Sequence, residues 1–118
     1  KFALKYWPGA LTLIVPLSKN KNLKFIPSNS IGIRIPDCSI ARLLIYESGP
    51  LATSSANISG IKPSLSAQEI SFDLPNLNLL GPIPWQKCSG KASTIIEWIR
   101  EGEWKLIRQG NIIITGLT

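Results

Sequence analysis

Histidine and methionine are both absent from this chain, and cysteine occurs only twice, as Cys38 and Cys88. Without histidine the chain can build no Ser-His-Asp or Cys-His catalytic unit and no imidazole general base. The two cysteines lie far apart with no CxxC spacing, which excludes the common zinc arrangements. Nothing else in the sequence suggests export, so both are expected as free thiols. Long hydrophobic runs are missing as well. Stretches such as Leu11–Val15 and Ile112–Ile114 fall far short of the roughly 18 apolar residues of a membrane helix. The opening Lys1–Trp7 is too short and too interrupted for a signal peptide. A cytoplasmic protein without membrane contact is the expectation.

Acidic residues are scarce, 7 against 13 lysines and arginines, for a net charge of +6. Lys1, Lys5, Lys19, Lys21 and Lys24 all precede the first acid, Asp37. A basic domain of this kind favours anionic partners such as nucleotides, phosphates or RNA. The missing methionine has a further reading, because Lys1 enters what looks like the end of a helix. The chain is therefore expected to begin inside a larger module.

What is present suffices for one domain with its own core: 118 residues, 44% hydrophobic and 17% charged. Lys1–Trp7 reads as a helical tail stopped by Pro8-Gly9. Leu11–Val15 is an apolar, β-branched run suited to a buried strand. Ser18–Lys24 reads as a polar turn, the tip of a hairpin. Ser30–Ile35 alternates, with Ile31, Ile33 and Ile35 on one face and Ser30, Gly32 and Arg34 on the other. Asp37 or Ser39 is placed to cap a helix over Ile40–Glu47, with Ile40, Leu43 and Leu44 on its apolar face and Gly49-Pro50 after its end. Ser66-Ala67-Gln68-Glu69 has the form of a capping box. Ser93–Trp98, Trp104–Arg108 and Asn111–Thr115 read as three short strands. The fold class that follows is α+β with a mostly β frame.

The densest chemical signal is Thr53–Gly60, directly behind Pro50. It carries four hydroxyls and a carboxamide and no charge. A core strand rarely buries so many polar groups, since each needs a partner. A surface loop normally carries charge. A neutral turn rich in hydrogen-bonding groups reads as a ligand contact. Arg34 shares a strand face with Ser30, and four residues along a strand is about 13 Å, so both can line one groove. Few acids are available to pair with Arg34, which favours a ligand phosphate or carboxylate. Arg108, beside Gly110, reads on its own as a solvated strand residue, and the Ser93-Thr94 pair at a strand edge is commonplace. Four tryptophans, Trp7, Trp85, Trp98 and Trp104, are scattered and read as core or rim packing rather than base-stacking platforms. There is no P-loop, Rossmann glycine fingerprint or catalytic carboxylate pair.

Taken in order, the segments resemble a known family. Trp7-Pro8-Gly9-Ala10-Leu11-Thr12 resembles the WPGPLT segment of the YrdC-like threonylcarbamoyl-AMP synthases. Ile31–Pro36 resembles their VAVRVP strand and Thr53–Gly60 their ATSANLSG turn. Ser93–Glu97 is similar to STVVD, and Ile107–Gly110 to an LRxG ending. Departures are Ala10 for the second proline, Ser54 for a threonine and Glu97 for an aspartate. The resemblance implies a twisted α/β sheet of mixed parallel and antiparallel strands with flanking helices, as a single domain over residues 1–118. It implies an enzyme that joins L-threonine, bicarbonate and ATP into threonylcarbamoyl-AMP and pyrophosphate, for threonylcarbamoyladenosine in tRNA. By matched positions, Ser30, Ser55, Asn57, Ser64 and Arg108 would contact ATP or the adenylate. Arg34, Thr53 and Ser93 would hold threonine or its carbamoyl group. Mg2+ is expected with ATP, carried largely by phosphates and water, and other tRNA-modification proteins are expected partners.

The family's basic Lys-x-Arg segment does not occur in these residues, so the chain alone is expected to be weakly active or inactive. Two other readings stand beside the enzyme. One is a non-catalytic module of the same fold that binds tRNA or double-stranded RNA through its early lysines. The other is the related carbamoyl-transfer domain of hydrogenase maturation proteins, whose usual acylphosphatase and zinc-finger segments are not visible here.

Overall fold

Leu11 and Ile96 are wholly buried, and they lie on the same face of the two central strands of a mixed sheet. The computed structural model describes residues 1–18, 29–79 and 89–117. The expected hairpin tip between residues 18 and 24 falls largely outside these, as do Trp85 and Cys88. The elements in chain order are α1 (Phe2–Tyr6), β1 (Leu11–Pro16), β2 (Ser30–Ile33), α2 (Ser39–Ser48), α3 (Ala67–Asp73), β3 (Thr94–Arg100) and β4 (Glu103–Arg108). Contacts divide the chain into two units, Lys1–Pro50 with Ala92–Thr118, and Leu51–Lys91.

The first unit holds the sheet, in the order β2-β1-β3-β4. β1 runs antiparallel to β2 and parallel to β3, and β4 returns antiparallel along β3. This is the mixed sheet with flanking helices that the resemblance implies. Register decides which residues share a face. Leu13 pairs with Ile33, Leu11 with Thr94 and Leu13 with Ile96, so these lie on one side. That side is the core, where Phe2 of α1 joins Leu11, Leu13 and Ile96. Full burial of a side chain the size of Leu11 or Ile96 contributes about 1.5–3 kcal/mol. Phe2 also meets Trp104 edge to face, with ring centroids 5.5 Å apart. Trp7 donates its indole N–H to the Leu11 carbonyl at 2.8 Å. Tryptophan is therefore a packing residue at both positions, as expected.

The structure departs from the sequence reading in three respects: a strand that does not form, a helix cap and an apolar helix face. Asn111–Thr115 is not a strand. At its first two residues the polar backbone is satisfied from the side: Asn111 N–H donates to Ala92 O, Ile112 N–H donates to Thr94 Oγ1, and Ile112 O accepts from Thr94 Oγ1 and Gln109 Nε2. Segments held this way need no ladder partner. At α2 the N-cap is Cys38, with no side-chain cap bond. Asp37 instead accepts from Arg42 at 3.2 Å, so neither Asp37 nor Ser39 caps the helix. No residue of α2 is buried, and its apolar positions Ile40, Leu43 and Leu44 are exposed. Gly49 ends the helix at φ 79°, a conformation that suits glycine. Cys38 is a free thiol.

The second unit contains α3, and here the serine half of the capping box forms, while the glutamate reaches one residue beyond the N-cap. Ser66 Oγ accepts from the Glu69 N–H at 3.2 Å, and Glu69 Oε2 accepts from the Leu65 N–H at 2.7 Å. Ser66→Ala is expected to destabilise α3 by about 1 kcal/mol. Faster amide hydrogen exchange confined to α3 is the check, and unchanged exchange there would contradict the cap.

Candidate functional site

The sheet face opposite the core is assembled by the same register. Gly32 of β2 pairs with Ile14 of β1, Thr12 of β1 pairs with Ile95 of β3, and Ile95 pairs with Arg108 of β4. Alternation then places Ser30, Thr12, Ser93 and Arg108 on this one face, at four successive strands. Ser93 directly precedes β3 and Arg34 directly follows β2.

Arg108 is clamped at the head of β3. Its Nε and Nη2 both donate to the Ser93 carbonyl, at 3.2 and 3.0 Å, and Nη2 also reaches Ser93 Oγ at 3.3 Å. Two parallel donors on one acceptor hold the planar guanidinium in a fixed direction. Nη1 has no hydrogen-bond partner among the described residues, and Arg108 is exposed, so Nη1 is a cationic donor held in one orientation. Ser93 itself is buried, and its hydroxyl lies 2.9 Å from Thr12 Oγ1.

The backbone that carries Arg108 is braced by Thr94, which is fully buried. One hydroxyl serves three backbone groups: it donates to Ile112 O at 2.6 Å and accepts from Gly110 N–H at 3.0 Å and Ile112 N–H at 3.2 Å. The turn is packed so closely on β3 that a Cβ at Gly110 would overlap the Ala92 and Ser93 backbone. The glycine two residues after Arg108 is thus explained by close backbone approach. Arg34 is held more lightly. It is exposed, with Nε donating to Gly9 O at 2.9 Å.

The other expected site residues belong to the Leu51–Lys91 unit. Thr53 and Ser55 are exposed, and their hydroxyls bond to no other described residue. Asn57 organises the polar turn: Nδ2 donates to Ile58 O at 3.0 Å and Ile61 O at 2.8 Å. Its Oδ1 is buried without a partner among the described residues. An orphaned buried acceptor is uncommon in a folded protein. Ser64 Oγ donates to Asp73 Oδ2 at 2.7 Å. That bond ties the segment to α3 and leaves the hydroxyl oxygen able to accept.

Four of the eight expected residues therefore fall on or beside the sheet, Ser30, Arg34, Ser93 and Arg108, and the structure bonds Ser93 to Arg108. Thr12 and Thr94 were not expected at the site. Thr12 had a legible signal, as the one hydroxyl within the apolar run Leu11–Val15. Grooves also occur at Arg100–Trp104 with Leu117, and at Asp73–Leu77. They contain none of the expected residues. Among the described residues no helix is long and apolar enough to cross a membrane.

Fold and face together define an α/β protein whose mixed sheet presents hydroxyls and cations on one side. The chain belongs to the Sua5–YciO–YrdC family: that family's model, described as "Telomere recombination", matches residues 1–110. The threonylcarbamoyl-AMP synthase of Mus musculus is 35% identical over 112 residues, covering 88% of this chain and 40% of that protein. The synthase of Bacillus subtilis (strain 168) is 40% identical over 73 residues, covering 59% of this chain and 21% of that protein. Among solved structures, P. abyssi Sua5 complexed with L-threonine superposes with a TM-score of 0.73 at 30% identity, over 92% of this chain and 32% of that one. The chain thus spans well under half the length of these relatives.

Proposed function

We propose that this chain carries part of the ligand site of a threonylcarbamoyl-AMP synthase, a nucleotidyl-transferring enzyme that serves tRNA modification. The observation that carries the reading is the single sheet face on which Arg108, clamped by Ser93, stands with Thr12 and Ser30. The family relatives and the threonine complex of P. abyssi Sua5 support the choice of substrate. In this reading L-threonine and bicarbonate condense to a carbamate with loss of water. A carbamate oxygen then attacks the α-phosphorus of ATP, and the bond to the bridging oxygen breaks to release pyrophosphate.

That chemistry requires no histidine. It requires aligned reactants and cations where phosphate charge develops. Arg108 would face the nucleotide phosphate, while Ser30, Ser55, Asn57 and Ser64 would contact ATP or the adenylate. Arg34, Thr53 and Ser93 would hold threonine or its carbamoyl group. Among the described residues no group of three or more Cys, Asp and Glu side chains could cage a metal. The Mg2+ expected with ATP would be held largely by phosphates and water.

Calorimetric titration of the purified protein with ATP and with L-threonine tests the reading. Saturable binding of both is the expected result. The further expectation is pyrophosphate release that requires ATP, bicarbonate and threonine together once the family's Lys-x-Arg segment is present. Binding of tRNA that weakens steeply with salt, with no uptake of ATP or threonine, would instead identify an RNA-binding module.

A further inference from the structure

Thr12 lies at the centre of the polar sheet face, where its hydroxyl meets Ser93 Oγ at 2.9 Å. Arg108 Nη2 donates to the same Ser93 oxygen at 3.3 Å. A serine hydroxyl has one proton to donate and two lone pairs to accept with. With Arg108 on one lone pair and Thr12 donating to the other, both acceptor positions are filled from inside the protein. The Ser93 proton is then free to point out of the cluster, toward a ligand oxygen. In the opposite arrangement Ser93 would donate to Thr12 and leave a ligand only an acceptor lone pair, with no proton for a carboxylate oxygen.

Thr12 is itself held in one orientation. Its Cγ2 methyl lies on the β2 side, 3.5 Å from the position a Cβ would take on Gly32, while its hydroxyl faces Ser93 ahead of β3. A β-branched side chain on a strand has little χ1 freedom, so the methyl aims the hydroxyl. We infer that Thr12 is a positioning residue that fixes the Ser93 hydroxyl as an outward donor to the carboxylate or carbamate oxygens of an amino-acid substrate. The inference rests on the reading of Ser93 as the threonine contact.

The test is the affinity for L-threonine and, separately, for ATP, of the wild type, Thr12→Val, Thr12→Ser, Ser93→Ala and the double variant Thr12→Val with Ser93→Ala. Thr12→Val is expected to weaken threonine binding about tenfold, as loss of one hydrogen bond does, with ATP affinity unchanged. Thr12→Ser restores the hydroxyl without the methyl and is expected within about threefold of wild type. The double variant should bind no more weakly than Ser93→Ala, because Thr12 acts through Ser93. Additive losses, parallel loss of ATP affinity in Thr12→Val, or wild-type threonine affinity in Thr12→Val would each overturn the inference. Wild-type threonine affinity in Ser93→Ala would remove the threonine site of the proposed function as well. A weakened Ser93→Ala beside a silent Thr12→Val would remove the role of Thr12 alone.

Discussion

Thr94→Val is expected to lower the free energy of unfolding by about 3 kcal/mol. Valine has nearly the shape of threonine, so no cavity forms at this fully buried position, and the hydroxyl is what disappears. Three backbone groups depend on that hydroxyl, yet they do not suffer equally. Ile112 O keeps a second donor in Gln109 Nε2 at 2.8 Å. The N–H groups of Gly110 and Ile112 lose their acceptor outright. A buried donor left unsatisfied costs roughly 1–3 kcal/mol, and two in half-buried residues, each toward the lower part of that range, sum to the expected loss. Domains of this size have only about 5–15 kcal/mol to lose. Urea denaturation should show a lower midpoint with an unchanged slope. Thr94→Ser, which keeps the hydroxyl, should lose about 1 kcal/mol, the transfer free energy of one methyl group. A valine variant as stable as wild type would mean that the turn after Arg108 is held by something other than Thr94.

The second large effect is functional. Arg108→Ala is expected to weaken ATP binding by about 10- to 100-fold, the range of one hydrogen bond to a charged group. The geometry behind this figure is the double donation to Ser93 O, which aims the remaining Nη1 outward. Lysine carries the charge but not the fork, so it cannot bond Ser93 O and reach a phosphate together. Arg108→Lys should therefore recover only a minor part of the lost affinity. Titration calorimetry with ATP separates the cases. Equal affinities for wild type and Arg108→Ala would exclude the arginine from the nucleotide site, whereas full recovery by lysine would show that charge alone suffices.

These two residues also mark how far the sequence could be read. Alternation in Ser30–Ile35 placed Ser30 and Arg34 on one face and the isoleucines on the other, because the side-chain period of a strand is a local property. The β2 face and the serine cap at Ser66 follow the same local logic, and both form as expected. Arg108 and Ser93 were individually unremarkable: an arginine late in a strand, and a serine before one. Their acceptor and donor lie 15 residues apart in the chain, and no periodicity links them. The misread strand at Asn111–Thr115 has the same cause. Its apolar, β-branched residues favour a strand, but Thr94, some 18 positions earlier, satisfies its backbone instead.

Local chemistry was thus determined by the sequence itself: a histidine-free, basic chain of helices and strands with a neutral polar turn at Thr53–Gly60, and a run of motifs specific enough to indicate its family. Only the tertiary structure decided that Thr12, Ser93 and Arg108 meet, and that Thr94 braces the turn behind them. The physical reason lies in the pairing of β1 with β3. Those parallel strands are separated by most of the chain, and their register brings distant hydroxyls within hydrogen-bonding distance. Periodicity within either strand carries no information about that register.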